Sequence, residues 1–303
     1  NKTLADDSSP ARKRRAPPTH VAPRESAFGC ARNFLNNRFV YTVVSPRARG
    51  LSVGVNMNPD RHCDFDCIYC EVNRTQPALE SALDTNVMAQ ELQRTLAYVS
   101  SAEFREHGPY HYLPAELLRL QHVTISGDGE PTQAPNFAES VREIVHVRAL
   151  GKLPFFKLVL ITNCSGLDRP EVLQGVKLLT RSDEIWAKLD GGTQAYLNLV
   201  NRPQNVPLEK ILANILLIAR QRPVVIQSLF PAINGKEPPA EEIEQYAMRL
   251  RELKEQGAEI SLVQIYSATR PIQNAGCGHL PLRSLSRIAQ VVRLVSGLKA
   301  EVF

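Results

Sequence analysis

The sequence predicts an α/β fold in which six strand–helix units run in series around a parallel sheet. Three observations lead there. From about Asn37 onward, short β-rich runs alternate with longer stretches of helical periodicity. The run Phe156 to Asn163 is almost continuously apolar, as a parallel strand buried on both faces requires. Each strand is separated from the next by a helical stretch, the arrangement that calls for right-handed crossovers between parallel neighbours. A chain of 303 residues with 43% hydrophobic content can fill two average domains or one α/β barrel. With no internal repeat and no sign of a second domain, residues 26–303 are expected to form one domain.

Leu51 to Met57 reads as the first strand and leads into a cysteine-rich loop. The first helix runs from Asp84 to Ser100, with Asp84 or Thr85 as N-cap and Val87, Leu92, Leu96 and Val99 on its apolar face. The second strand, His122 to Gly127, precedes a helix from about Asn136 to Leu150, and the third strand, Phe156 to Asn163, a helix from Pro170 to Thr180 with Pro in the favoured first position. Strand four is Glu184 to Asp190, followed by a helical region from Thr193 to Gln221 that breaks near Pro203 and Pro207. Strand five spans Pro223 to Pro231, and its charged amphipathic helix runs from Glu241 to about Gln256, stopped at Gly257. Glu259 to Ser267 is the sixth strand and Ser284 to Leu298 the last helix.

The net charge of +5 is unevenly spread. Residues 1–25 carry six cations against three acids, a local +3, and are rich in Pro, Ser and Ala. Such a segment cannot bury enough apolar surface to order itself, so it is expected to be a disordered basic tail, dispensable for activity. The remaining +2 leaves no electrostatic footprint for a long duplex. Cys30, Cys164 and Cys277 are scattered singly, unlike a secreted disulfide framework, which points to a reducing cytoplasm. The longest apolar stretch, Ile211 to Ala219, is interrupted by Asn214 and too short to cross a bilayer. The N-terminus lacks the apolar segment of a signal peptide, and no membrane partner is expected. The chain begins at Asn1, as expected of a sequence lacking its native start.

The other three cysteines fall within eight residues, in Cys63-Asp64-Phe65-Asp66-Cys67-Ile68-Tyr69-Cys70. Four thiolates would close a metal site, whereas three leave one coordination position for something other than protein. This Cys-x-x-x-Cys-x-x-Cys spacing, with Tyr69 just before the last cysteine, resembles the cluster loop of radical S-adenosylmethionine (SAM) enzymes. The resemblance implies a [4Fe–4S] cluster held by Cys63, Cys67 and Cys70, SAM chelating the open iron, and an open (β/α)6 partial barrel of the TIM type. The turn Ser126-Gly127-Asp128-Gly129-Glu130-Pro131-Thr132 after the second strand resembles the family's Gly-Gly-Glu motif, which implies that its backbone and Glu130 bind the SAM amino group. Ile161-Thr162-Asn163-Cys164 resembles a Thr-Asn-Gly at the end of strand three, with Cys164 in place of glycine and expected to be a buried small thiol. At the end of strand four, Asp190 is the candidate for the ribose hydroxyls, since one carboxylate accepts from both. Gln227, and Gln264 or Tyr266, either face the same cavity or are satisfied by neighbouring strands.

Together with Arg74-Thr75, Val200-Asn201-Arg202-Pro203 and Thr269-Arg270-Pro271, these motifs look like a radical SAM group catalogued with wyosine-type tRNA modification enzymes, over roughly residues 40–275. The implied reaction is reductive cleavage of SAM to methionine and a 5′-deoxyadenosyl radical that takes a hydrogen from substrate, with a donor such as flavodoxin or ferredoxin. RNA is one candidate substrate, although the chain lacks the clustered spare cysteines for the second cluster of the wyosine enzymes. Arg270, with Arg202, is expected to grip an anionic group of the substrate, the alternative being pairing with an acidic neighbour. Gly276-Cys277-Gly278-His279 either lines the same mouth or forms a flexible connection. A competing reading is a zinc-stabilised, non-catalytic binding module using the three cysteines with His62 or His122; a second is a scaffold of this type that no longer turns over.

Overall fold

A computed structural model describes residues 26–29, 33–78, 80–269 and 274–303. The basic segment 1–25, Cys30 and Arg270 lie outside the described residues. The predicted elements are all present within a few residues of their expected ends. The strands are β1 Val40–Ser45, β2 Gly50–Asn56, β3 Leu120–Ser126, β4 Lys157–Thr162, β5 Glu184–Lys188, β6 Val224–Leu229, β7 Ala232–Ile233, β8 Ile260–Tyr266, β9 Cys277–Gly278 and β10 Ala300–Val302. The helices are α1 Thr85–Val99, α2 Phe137–Ala149, α3 Pro170–Val176, α4 Gln194–Val200, α5 Leu208–Ala219, α6 Ala240–Glu255 and α7 Leu282–Ser296. None among the described residues is long and apolar enough to cross a membrane.

Eight strands form one sheet in the order β1-β2-β3-β4-β5-β6-β8-β10. Every ladder from β2 to β10 is parallel, and β1 pairs antiparallel with β2 through a hairpin. The sheet curls: Arg49, in the turn between β1 and β2, reaches Glu301 on β10 at 2.7 Å. This is the expected (β/α)6 partial barrel, extended by one strand at each end. The segment Gly276 to His279 is not a flexible connection, because β9 pairs antiparallel with β7. Cys277 is buried there, and the His279 ring meets the Ala268 carbonyl through Nδ1 at 3.1 Å.

Local signals behave as their chemistry dictates. The Asp84 carboxylate accepts from the N–H groups of Asn86 and Val87 at 3.0 Å each, capping α1. Gly257, just beyond α6, has φ of 93°, a conformation open to glycine. Helix α3 stops at Val176, short of the expected Thr180. The Thr180 N–H and hydroxyl instead donate to Asp183 at 2.7 and 3.0 Å.

Asp183 is the central tie of this side of the barrel. Its carboxylate receives both guanidinium nitrogens of Arg148 from α2, at 2.7 and 3.1 Å, and the Leu158 N–H from β4 at 2.8 Å. Burial works against its charge, but these donors win, so its pKa lies below the ordinary value. A carboxylate whose folded pKa is depressed contributes stability that is complete above the unfolded value of about 3.9 and is lost as pH falls through the lower folded value. We expect Asp183→Asn to be less stable than wild type at neutral pH, with the difference shrinking steadily below about pH 4. Urea unfolding at a series of pH values measures it; a difference independent of pH would show that the carboxylate's charge is irrelevant.

Candidate functional site

The C-terminal ends of β2 to β8 surround two connected cavities. The smaller, about 200 Å³, is lined by Cys63, Cys67, Cys70 and Tyr69, by Gly127 to Pro131, and by Asn163, Asp190 and Asn201. The larger, about 980 Å³, adjoins it and shares Tyr69, Cys70, Gly127, Asp128 and Lys188. The three clustered cysteines, the glycine turn, Asn163 and Asp190 therefore meet in one place. Arg202 lies outside both linings and instead pairs weakly with Asp66 at 3.7 Å on the surface.

The cysteine loop has no regular structure of its own, so something else must hold it. The segment after α4 does so. Ile68 N–H donates to the Val200 carbonyl at 2.9 Å, Asp66 N–H to that of Asn201 at 3.1 Å, and Gln204 N–H to that of Asp64 at 2.8 Å. Arg202 adopts φ of 48° to allow this pairing, and Phe65 bridges to Pro203. Asn201, buried, sends its amide toward Cys67 Sγ at 3.4 Å, Tyr69 Oη at 3.1 Å and Asp190 Oδ2 at 2.7 Å. From the other side, Asn163 donates to Asp64 at 2.8 Å.

The glycine turn docks against the same loop. A methyl group on Gly129 would lie 1.6 Å from the His62 carbonyl oxygen, and one on Gly127 would lie 2.4 Å from Asn58 Oδ1. Both glycines are thus required by close approach, with positive φ playing no part. Asn56, at the end of β2, holds Asp128 by accepting its N–H at 2.8 Å and donating to its carboxylate at 3.0 Å.

Glu130 and Asp190 are both buried and richly hydrogen-bonded. Glu130 Oε1 accepts from Thr132 N–H, Thr132 Oγ1 and Thr162 Oγ1 at 3.0, 2.7 and 2.6 Å, and Oε2 accepts from Asn163 N–H at 2.7 Å. Burial raises its pKa against the pull of those donors. Oε2 thereby keeps one lone pair for a ligand. Asp190 accepts from Tyr69 Oη, Asn201, Lys188 Nζ at 3.3 Å and Leu229 N–H at 2.8 Å. Four protein donors occupy the carboxylate expected to take a ribose, so its visible task is to join β5, β6, the cysteine loop and α4. Burial disfavours the Lys188 charge, yet Asp190 and Tyr266 beside it raise its pKa.

Among the described residues, no three His, Cys, Asp or Glu side chains stand close enough to hold an ion as they are placed. The donor set nevertheless fits an iron–sulfur cluster: three soft thiols share one wall, and no fourth cysteine lines that cavity. Burial pushes the Cys67 thiol up to about 11, and burial with Glu130 raises Cys63, so without metal both are protonated at neutral pH. His122 cannot complete a zinc site here. It sits near the start of β3, at the opposite end from the cysteines, edge-on to Trp186 at 5.4 Å, and burial lowers its pKa to about 4. The five described cysteines are free thiols, with Cys164 fully buried as expected. Gln227 and Tyr266 line the larger cavity, while Gln264 accepts from the Gln227 amide at 3.1 Å.

Asn201 is the residue of this candidate site that sequence reasoning missed. Its Oδ1 is buried with no partner, on the wall of the smaller cavity. The Val-Asn-Arg-Pro run was visible in the sequence, but its clamp role depends on a contact across more than 130 positions.

No family model matches the chain. A UPF0026 protein of Helicobacter pylori is 27% identical over 187 residues, covering 60% of this chain and 52% of that protein. One from Synechocystis is 29% identical over 178 residues, covering 58% and 57%. The chain thus spans about half the length of the curated relatives it matches. Among solved structures, TYW1 with a lysine-pyruvate adduct bound shares the fold at a TM-score of 0.56 and 14% identity, covering 87% of this chain and 86% of that one. Streptococcus suis SuiB bound to S-adenosylmethionine does so at 0.55 and 13%, covering 81% and 49%. The shared fold agrees with the partial barrel that the resemblance of the cysteine loop to radical SAM enzymes implies.

Proposed function

We propose that the chain is a radical SAM enzyme, with an iron–sulfur cluster on Cys63, Cys67 and Cys70, SAM in the adjoining cavity and an unidentified substrate in the larger chamber. The observation that carries this is the convergence of three thiols, the Gly127 to Glu130 turn and the unpaired Asn201 Oδ1 on one cavity. A buried acceptor without a donor costs about 1–3 kcal/mol, and SAM carries the ammonium and hydroxyl donors that relieve it. When bound, a reduced [4Fe–4S] cluster supplies the electron that breaks the S–C5′ bond of SAM, giving methionine and a 5′-deoxyadenosyl radical.

The chain's own residues bind and orient. Gly127 and Gly129 allow ligand and backbone to approach closely, and the free lone pair of Glu130 Oε2 accepts from the SAM ammonium. Asp190 fixes Tyr69 and Asn201 beside the thiols, and the barrel walls exclude water from the reacting atoms. A chamber of about 980 Å³ suits a small molecule or a single nucleotide unit, so a modified RNA base is one candidate substrate. The free thiols support a reducing compartment, where flavodoxin or ferredoxin would serve as electron donor.

The test is anaerobic reconstitution with iron and sulfide, followed by incubation with dithionite and SAM and chromatography for 5′-deoxyadenosine. Formation of 5′-deoxyadenosine without added substrate is the expected result. A cluster-loaded protein that binds SAM but never cleaves it would overturn the assignment in favour of a scaffold without turnover.

A further inference from the structure

Arg47 lines the larger chamber, as do the acids Glu71 and Asp128, and has no ion pair among the described residues. Arg47 comes from the turn between β1 and β2 and lays its guanidinium over the Tyr266 ring, 4.1 Å from the centroid. Its Nε is buried without a hydrogen-bond partner, and no ion pair joins it to a described residue. The other cations lining the chamber are committed: Lys188 to Asp190 and Tyr266, and Arg61 to the carbonyls of Asn73 and Gln76 at 2.9 and 2.8 Å. Lys188 approaches the Tyr266 ring as well, 5.5 Å from its centroid, so two cations meet that ring. A guanidinium stacked on an aromatic ring is held flat, with its forked N–H edge free for a planar or tetrahedral oxyanion.

We infer that Arg47 is the specificity residue of the chamber and grips an oxyanion, a carboxylate or a phosphate, carried by the substrate. This rests on reading the chamber as the substrate site. Arg47 lines the same chamber as Tyr69 and Cys70, which also line the SAM cavity, so an anion held by it sits in the space adjoining that cavity. The pairing would relieve the orphaned Nε and add a charge-assisted, two-pronged contact.

The experiment compares two probe pairs by calorimetry on the full chain. AMP and adenosine differ only by a phosphate; benzoate and benzamide differ by the charge of a planar group. Wild type is expected to prefer the anionic member of at least one pair by roughly tenfold to a hundredfold, the range of a charge-assisted hydrogen bond. The responding pair identifies phosphate or carboxylate. Arg47→Gln should abolish the preference, and Arg47→Lys, which keeps charge but loses the fork and the stacking, should restore only part of it. Melting temperature and iron content identify a variant that fails to fold, in which case Arg47→Lys alone decides. Equal preference in wild type and folded variants, or no preference in wild type, would overturn the inference. Failure of wild type to cleave SAM would instead sink the proposed function and leave this binding result readable.

Discussion

Replacing Cys63, Cys67 and Cys70 together by Ala is expected to leave a colourless protein. Reconstituted wild type should be brown with about four irons per chain, and the triple variant should hold almost none and form no 5′-deoxyadenosine. The effect is large because, among the described residues, no other cysteine lines that cavity. Cys164 is wholly buried behind Thr162, Cys277 is tied into the β7–β9 ribbon, and neither lines the thiol cavity. The fold itself should survive, since the loop is held by backbone bonds to 200–204 that do not involve sulfur. Iron analysis after gel filtration decides it. If the triple variant keeps most of its iron, the three cysteines are not the cluster ligands; if wild type carries zinc and no colour, the binding-module reading returns.

Asp190→Asn is expected to lower the unfolding free energy by about 3 kcal/mol, at the low end for stripping one partner from a buried ion pair because Lys188 keeps 17% of its side chain in solvent. The amide also turns one acceptor into a donor, facing either the Asn201 amide and Tyr69 or the Leu229 N–H. Tyr69 and Asn201 then lose their common anchor, so iron retention should fall with stability. Urea unfolding of the metal-free proteins isolates the first effect, and iron content after desalting reads the second. A variant with wild-type stability would show that Asp190 is no tie at all and would reopen its role as a ribose acceptor.

The contrast between these two sites shows what a sequence makes legible. The cysteines are readable because their chemistry is rare and their spacing local, and Glu130 because two glycines precede it at the end of a strand. The barrel is readable because every parallel strand must be apolar on both faces, as Leu158 to Leu160 are, and because caps such as Asp84 act within three residues. Strand β1 is masked by the stronger signal of the first barrel strand beside it, and β10 is three residues long, too short for any period to show. Asn201 and Arg47 are hidden for another reason. An asparagine before Arg-Pro and an arginine in Pro46-Arg47-Ala48-Arg49-Gly50 both look like ordinary loop residues. Their meaning comes from partners far along the chain, Cys67 for one and Tyr266 for the other.

Seven backbone ladders join the eight strands, and the joint that would complete the ring is of a different material. There the turn between β1 and β2 meets β10 and β8, among the described residues, through the Arg49–Glu301 ion pair, the Arg49 contact with Phe303 and the stacking of Arg47 on Tyr266. An exposed ion pair contributes at most about 1 kcal/mol and weakens with salt, whereas each ladder adds several backbone hydrogen bonds of roughly that size. Among the described contacts, this electrostatic clasp is the weakest part of the ring. The strength of that joint, unlike that of the ladders, is therefore expected to depend on ionic strength.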